Sequence, residues 1–525
     1  MGKEPGAQLT LIKAFLGRFP NDIHANYLMA DTMMAVGHEL NAIPFAQRAV
    51  QLGRFEPDHV ALLLNLYCKF HFLEQVDRLL PQVLASGKSS AEQDRAIGNY
   101  YSRIAKAELA LPYLKRACDT FVDVRSRHRT LGLLLECLRD ANHNDEARAL
   151  IEKQASSADT RSWALGELAQ IARPDETVSL IEQIETQLLV PDDKDDPRTA
   201  SSREALYLQL GNLKARQGRH DEAFEDWKAS RALVNLTYSA AANEYTVKET
   251  KSFYQKSLFE RTLPYANADA SLVFVVGMPR SGTTLAAQIL AAHPQAASAG
   301  ELVRLSVEAK FFTGRYHVAG GLKQLLADAQ AGAIASRTED FLKLARLVAG
   351  KPAARLVDKT PLQFQSAGYI HMCFPHARFI NMERHPADIF ISTYQNGFSQ
   401  EFGFAFDQEA FAHFFLKRHE ILKYWRSLFP EKILDVGYES LTASPDLQVR
   451  RILDFLALDW DPACLKFFEH SSTVRTFSRD QVRSAINTKS VGRWRNYEKH
   501  LGPLFEALDK AGYSYPENSA ANGAN

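Results

Sequence analysis

The chain has 525 residues, more than one hydrophobic core normally organises, so two or more domains are expected. Apolar residues make up 46% and charged residues 24% of the sequence, as in ordinary globular proteins. Because 62 basic residues balance 62 acidic ones, the overall charge gives no reason to expect binding to nucleic acid or to an anionic membrane.

The sequence carries no sign of secretion or membrane insertion. No apolar stretch of signal-peptide type follows the charged start, and no run of 18 apolar residues occurs. The five cysteines are scattered without a C-x-x-C pair, which indicates neither a zinc site nor a disulfide framework. We therefore expect a cytoplasmic protein with buried free thiols.

Small or apolar residues recur at a fixed step in the first half. Ala42, Val76 and Ala110 lie 34 residues apart. The series continues with looser spacing at Ala147, Val178 and Ala223. Twelve positions before each member stand Ala30, Leu64, Gly98, Leu135, Gly166 and Gly211. Small residues at these offsets allow two antiparallel helices to approach closely within each unit.

A 34-residue period of paired helices resembles the tetratricopeptide repeat family. The clearest copy runs from Tyr207 to Ser230, with Gly211, a turn at Gly218, and Trp227. We predict about six units over residues 8–235; the alternative is an irregular helical bundle. Stacked repeats form a superhelix whose groove commonly binds peptides, so a polypeptide partner is expected. Self-assembly through the repeats, for example as a homodimer, stays open.

The remaining boundaries follow from composition. Pro191–Arg203 is polar, charged and proline-bearing, which predicts an exposed loop. Residues 236–268 are predicted as a bridging helix and linker, and residues 269–515 as a second domain. The small polar residues of 516–525 predict a disordered tail.

After Asp269 the pattern changes to strands alternating with helices, which predicts a parallel sheet covered on both faces. The predicted strands are Leu272–Val276, Ala354–Val357, Arg378–Met382 and Lys432–Val436. The predicted helices are Thr283–Ala292, Gln363–Cys373, Pro386–Tyr394, Asp446–Leu456 and a long inserted helix, Asp407–Leu428.

The strongest chemical signal follows the first of these strands. Residues 277–284 read G-M-P-R-S-G-T-T, a G-x-x-x-x-G loop that opens a helix. In such a loop the backbone N–H groups converge on a phosphate, and the helix dipole adds positive potential. Thr283 stands where phosphate loops of kinases and hydrolases have lysine, which argues against handling a γ-phosphate with magnesium.

The loop, then His293-Pro294 and Gly300-Glu301, resembles the PAPS-dependent sulfotransferases over about residues 271–510, most of all the tyrosylprotein sulfotransferases. PAPS is 3′-phosphoadenosine 5′-phosphosulfate. The resemblance implies an α/β, P-loop-like parallel sheet (the sulfotransferase fold) after the all-α repeat superhelix. It also implies that the 5′-phosphosulfate binds to Arg280, Ser281, Gly282, Thr283 and Thr284.

The same resemblance implies the catalytic residues. Glu301 corresponds to the general base, although this chain has one acid where those relatives have two, with Arg304 three positions on. Lys359, in D-K-T-P, corresponds to the lysine that stabilises charge on the bridging oxygen. Ser478, in a segment similar to the family's S-x-D-Q-V loop, corresponds to the serine that meets the sulfonate.

The 3′-phosphate site is implied by Arg384 and, eight residues later, Ser392. Tyr438 corresponds to a tyrosine that contacts the nucleotide, and Arg493 to a lysine that binds the 3′-phosphate. Asn396 departs from the family, which has arginine there. Candidates for the missing charge are Arg479, Arg483 and Lys489.

These residues together predict a direct in-line transfer from PAPS to a hydroxyl acceptor, with no metal and no covalent enzyme intermediate. The acceptor stays open between protein tyrosine, a glycan and a small molecule. The alternatives from other classes are a P-loop kinase and a helical-repeat adaptor with an inactive sulfotransferase-like domain. If Glu301 is not the base, His293 is the next candidate, although its place in H-P favours a packing role.

Overall fold

The computed structural model describes residues 5–36, 39–190, 197–234, 236–397, 400–469, 486–513 and 515. The chain divides into two compact units. The first runs up to Ala147 and includes Asp340–Val348; the second holds Arg148–Glu339 and the chain from Ala349 on. Within the described ranges, no helix is both long and apolar enough to cross a bilayer.

The secondary structure described in the first half of the chain is helical. Its helices are α1 Pro5–Arg18, α2 Ile23–Ala35, α3 Glu39–Leu52, α4 Pro57–Lys69, α5 Leu73–Ala85, α6 Ala91–Arg103, α7 Ala107–Thr120, α8 Val124–Asp140, α9 Asn144–Ala155, α10 Ala158–Gln170, α11 Thr177–Leu188, α12 Pro197–Arg216 and α13 His220–Ala232. The first residues of α2, α4 and α6 lie 34 positions apart, and so do those of α3, α5 and α7. The tetratricopeptide-like period is thus confirmed.

The small residues sit where paired helices touch. A Cβ on Gly98 of α6 would lie 2.5 Å from the Leu114 side chain of α7, and one on Gly211 of α12 would lie 2.5 Å from Trp227 of α13. Ala42, like Ala110 and Ala223, is fully buried. The pair α10–α11 departs from this rule.

In α11 Leu180 and Ile181 are among the buried residues, whereas Val178 is 56% exposed. The loop predicted over Pro191–Arg203 is wrong over its second half, because α12 begins at Pro197. Proline is well tolerated at the first position of a helix, where its missing N–H would have no partner. Residues 191–196 lie outside the described residues.

Two further helices, α14 Ala240–Phe253 and α15 Lys256–Thr262, precede the sheet. The carboxyl end of α14 is tied to the long helix α22, Gln408–Leu428. Lys251 pairs with Glu420 at 2.9 Å, and the Tyr424 hydroxyl donates to the Lys251 carbonyl, also at 2.9 Å. This segment therefore packs on the second half of the chain.

The described residues of the second half form a five-stranded, all-parallel sheet in the order β2-β3-β1-β4-β5. The strands are β1 Leu272–Gly277, β2 Ala296–Gly300, β3 Arg355–Asp358, β4 Arg378–Glu383 and β5 Ile433–Gly437. Every residue of the central β1 is buried, as expected when helices cover both faces. The predicted parallel α/β sheet is confirmed, and four of its strands were predicted.

Helices follow or separate the strands. The α-helices are α16 Thr283–Ala291, α17 Arg304–Tyr316, α18 Gly321–Gln330, α19 Ala333–Ala349, α20 Ala367–Cys373, α21 Pro386–Tyr394, α22, α23 Tyr438–Ala443, α24 Pro445–Leu456 and α25 Gly502–Lys510. Short 3₁₀ helices occupy Pro361–Ser366, Pro462–Glu469 and Arg493–His500. The helix predicted at Gln363–Cys373 is therefore α-helical only in its second part. All five cysteines are buried thiols, as predicted.

Candidate active site

Glycine holds the loop between β1 and α16 in a tight turn. Gly282 has φ of 99°, in the left-handed region, and a Cβ there would lie 2.5 Å from the Tyr438 ring. A Cβ on Gly277 would lie 2.8 Å from the Met382 carbonyl oxygen. Arg280 also has a positive φ, 69°, which is uncommon for a residue with a side chain. The sharp turn requires both glycines, and its strained backbone is of a kind that clusters at functional sites.

The loop delivers buried hydroxyls to the amino end of α16. Ser281, Thr283 and Thr284 are all buried. The Ser281 Oγ has no hydrogen-bond partner among the described residues, and such a buried orphan costs about 1–3 kcal/mol. The first N–H groups of a helix and its dipole favour negative charge at this end. A bound phosphate or sulfate group would satisfy these donors, so the loop fits such an anion.

Three arginines gather beside the loop. The Arg280 Nε donates to the Ser392 Oγ at 2.8 Å, and the Arg384 Nη1 donates to the Arg280 carbonyl, also at 2.8 Å. The Arg384 guanidinium lies 4.4 Å from the centre of the Tyr438 ring. Burial, together with the positive charges of Arg384 and Arg493, lowers the pKa of Arg280 to about 10. Cations held together in this way favour a multiply charged anion.

The chain from Gly492 to Trp494 is fixed to α21 by Asp388. This carboxylate accepts the backbone N–H of Gly492 at 2.7 Å and that of Trp494 at 2.9 Å. Arg493, between these two residues, reaches the Gln395 side-chain oxygen at 3.5 Å. The structure therefore gathers five sequence-predicted nucleotide residues in one place, namely Arg280, Arg384, Ser392, Tyr438 and Arg493.

Asp388 itself was not predicted as a site residue. It lies four residues after Arg384, but its partners are more than 100 residues further along the chain. No spacing in the sequence connects them. An acid in the first turn of a helix usually serves that helix, which is the reading that the sequence alone favours.

Glu301 and Lys359 form an ion pair at the carboxyl ends of β2 and β3. These strands are adjacent, with Gly300 in register with Asp358, and the Lys359 N–H donates to the Gly300 carbonyl at 2.8 Å. The Lys359 side chain is 8% exposed, whereas that of Glu301 is 41% exposed. The pair thus has a solvent-exposed carboxylate and a buried ammonium group at the carboxyl edge of the sheet.

Asp358 fixes the turn that carries this pair. Its Oδ1 accepts from the Thr360 hydroxyl at 2.7 Å and from the Leu302 N–H at 3.3 Å. Burial raises the pKa of Asp358 to about 8. The bond from the Leu302 N–H joins the β3 turn to the residue after Glu301, so Asp358 holds the β2 and β3 turns together. The Thr360 hydroxyl holds the Asp358 carboxylate in place within the β3 turn.

Other residues singled out in the sequence have structural partners. Both ring nitrogens of His293 are engaged, one with the Asp459 carbonyl at 2.9 Å and one with the Gln295 N–H at 3.1 Å, as expected of a packing residue. Arg304 is buried and pairs with Glu308 at 2.9 Å.

The remaining candidates belong to the C-terminal segment and to the residues just after α21. Ser478, Arg479 and Arg483 lie outside the described residues, and Lys489 is exposed. The Asn396 side chain donates to the Ser392 carbonyl at 2.6 Å, so it caps the end of α21.

Comparisons with known proteins identify relatives of this chain. A sequence model described as "Sulfotransferase family" matches residues 272–462. An uncharacterized protein of Aquifex aeolicus is 29% identical to this chain. The matched region covers 66% of this chain and 45% of that relative. Protein-tyrosine sulfotransferase 1 of Danio rerio is 30% identical over 47% of this chain and 73% of the relative.

Among solved structures, the sulfotransferase domain of the Synechococcus PCC 7002 olefin synthase is 20% identical, with a TM-score of 0.34 over 48% of this chain and 98% of that domain. The family match spans β1 to the start of the 3₁₀ helix Pro462–Glu469, and it includes the loop, Glu301, Lys359 and the arginine cluster except Arg493. Because the Danio rerio relative is 30% identical and is matched over 73% of its length, the chain belongs to the sulfotransferase family.

Proposed function

We propose that this protein is a PAPS-dependent sulfotransferase that moves a sulfonate group to a hydroxyl acceptor. The observation that carries the proposal is the convergence of an anion-binding loop, an arginine cluster and a carboxylate–lysine pair. These groups follow β1, β4 and the adjacent strands β2 and β3, all of them parallel, so they share one edge of the sheet. Ligands of open α/β sheets bind outside the carboxyl ends of the strands.

The residues available suit the two charged ends of PAPS. We assign the 5′-phosphosulfate to the loop, through the N–H groups of α16, the hydroxyls of Ser281, Thr283 and Thr284, and Arg280. We assign the 3′-phosphate to Arg384, Ser392 and Arg493, with Tyr438 beside them. The planar fork of arginine meets phosphate oxygens in pairs, and the Arg384 Nε has no partner among the described residues.

The chemistry then needs one base and several fixed positive groups. PAPS supplies the sulfonate, whose bond to the phosphate oxygen breaks as its bond to the acceptor oxygen forms. Glu301 takes the proton of the acceptor hydroxyl, since its carboxylate is exposed at the sheet edge. Lys359, Arg280 and the loop N–H groups stabilise the negative charge that develops on the leaving side. Ser478 is assigned to the sulfonate by the family resemblance.

The nucleotide assignment is tested by calorimetry with three ligands. PAP, the adenosine 3′,5′-bisphosphate product, should bind without magnesium at least about tenfold more tightly than AMP, which lacks only the 3′-phosphate, a difference of about 1.4 kcal/mol. ATP with magnesium should also bind more weakly than PAP, because Thr283 replaces the lysine of kinase loops. Equal affinity for PAP and ATP would contradict the assignment of PAPS as the donor.

For the acceptor we propose protein tyrosine, recruited by the helical repeats. The support is the similarity to proteins named protein-tyrosine sulfotransferase and the tetratricopeptide-like array, a fold class that commonly binds peptides. A radiolabelled sulfonate-transfer screen of the full chain over tyrosine peptides, sugars and phenols should give the highest kcat/KM on peptides. Transfer to sugars alone, with none to any tyrosine peptide, would replace this acceptor by a glycan.

A further inference from the structure

The last helical pair, α12 and α13, packs directly on the part of the second half that carries the proposed nucleotide residues. Both helices belong to the same compact unit as the sheet. Two of the places that they contact are the carboxyl end of α21, which carries Ser392, and the 3₁₀ helix Arg493–His500, which begins with Arg493.

Arg231 of α13 caps the carboxyl end of α21. Its guanidinium donates to the Tyr394 carbonyl through Nη2 at 2.6 Å and Nε at 3.2 Å, and to the Asn396 carbonyl through Nη2 at 2.7 Å. Arg231 is 7% exposed and also pairs with Glu204 of α12 at 3.1 Å. A buried cation at a helix carboxyl end satisfies carbonyls that the helix leaves unpaired and complements the dipole.

A second bond to the same turn comes from α12. The Asn212 side chain donates to the Gln395 carbonyl at 3.3 Å, and its oxygen accepts the Trp227 ring N–H at 3.1 Å. Three consecutive carbonyls, those of residues 394–396, therefore accept their hydrogen bonds from the last helical pair. The Asn396 side chain in turn donates to the Ser392 carbonyl, so the cap reaches the serine's own backbone.

The contact with the 3₁₀ helix is aromatic and ionic. The Phe224 ring stacks on His500 with centroids 4.3 Å apart, and Trp227 lies 5.3 Å from Tyr497. Asp221 pairs with His500 at 3.0 Å. The 3₁₀ helix is thus held at its far end by α13, while Asp388 of α21 holds its near end.

We propose that Arg231 is a positioning residue for the nucleotide site, and that the last helical pair fixes Ser392 and Arg493 for binding the 3′-phosphate. The inference rests on the proposed PAPS function. Without Arg231 the last turn of α21 loses a buried partner for two carbonyls, so this turn should fray. Ser392 lies in this turn, and Gln395, which contacts Arg493, directly follows it. Binding of the 3′-phosphate would then have to order Ser392 and Arg493 first, which would lower the affinity.

The experiment compares Arg231→Met with Arg216→Met. Arg216, also in the last pair, donates to the Ala169 and Gln170 carbonyls of α10 at 3.2 and 3.4 Å, so its loss removes the same kind of cap away from α21. We expect Arg231→Met to raise the Kd for PAP by about tenfold or more and to raise the KM for PAPS more than it lowers kcat. Arg216→Met should leave the Kd within about twofold.

Hydrogen exchange on the ligand-free protein gives an independent readout. Amides of residues 392–397 should exchange faster in Arg231→Met than in the wild type. Their exchange rates should be unchanged in Arg216→Met. In the wild type, PAP should slow exchange in α13, because coupling between two sites is reciprocal. Arg231→Lys, which keeps the charge without the fork, should fall between the wild type and Arg231→Met.

The outcomes separate the two proposals. A wild type that does not bind PAP overturns the donor assignment, while faster exchange at residues 392–397 would still support the capping role. The positioning role is overturned if the wild type binds PAP and Arg231→Met has the same Kd for PAP and the same hydrogen exchange at residues 392–397. If Arg231→Met fails to fold, the wild-type exchange experiment decides: absence of PAP-induced protection in α13 overturns the inference.

Discussion

Replacing Glu301 with glutamine should lower turnover about 10²–10⁴-fold, the range for loss of a general base. The amide keeps the size of the side chain but does not accept the proton of the acceptor hydroxyl. Affinity for PAP should stay within about threefold, since we assign Glu301 to the acceptor and its ion pair is with Lys359 rather than with the arginine cluster. Steady-state rates of sulfonate transfer and calorimetry with PAP measure the two quantities.

The matched control is Glu431→Gln. Glu431 is exposed in the turn before β5, at the amino end of the strand and therefore at the opposite edge of the sheet. The Glu431→Gln substitution should leave turnover unchanged. Retained turnover in Glu301→Gln would reassign the base. His293 is then a weak successor, because backbone groups already occupy both of its ring nitrogens.

Arg384→Ala should raise the Kd for PAP about 10–150-fold, because a hydrogen bond to a charged group contributes about 1.5–3 kcal/mol. Arg384 also donates to the Arg280 and Ser490 carbonyls, so its loss should loosen the loop between β1 and α16 as well as the proposed 3′-phosphate site. Arg384→Lys separates these effects: it keeps the charge and loses the fork, and we expect it to recover only part of the affinity.

The control for this change is Arg378→Ala. Arg378 is the first residue of the same strand, β4, and donates to the Phe455 carbonyl at the amino end of the sheet. It should leave the Kd for PAP unchanged. Wild-type affinity for PAP in Arg384→Ala would contradict the 3′-phosphate assignment, whatever the effect on the rate of transfer.

The sequence was most informative where chemistry and local geometry coincide. The apolar run before G-M-P-R-S-G-T-T predicted β1, and Gly282 has the left-handed φ that the turn requires. By contrast, β2 reads A-A-S-A-G, without the branched or aromatic residues that mark strands, and it was not predicted. It becomes a strand through pairing with β3, a contact between residues far apart in the chain.

The helical half shows the same division. The 34-residue step predicted the paired helices because each pair is a local unit with small residues at its contact. In the α10–α11 pair, where spacing is loose, Val178 is exposed and Leu180 and Ile181 are buried instead. Proline in P-R-T-A-S-S-R favoured a loop, yet the segment opens α12, because packing along a 20-residue helix outweighs a weak local preference.

The sequence by itself determined the paired helices and the glycine-bearing turn between β1 and α16, because each depends on neighbours a few positions away. Only the tertiary structure decided which distant residues support them. Asp388 holds the chain around Arg493, and Arg231 caps the helix that carries Ser392, across 104 to 165 positions of sequence. Hydrogen bonds over such separations leave no periodic trace in a single sequence, because their geometry is set by how the sheet and helices pack.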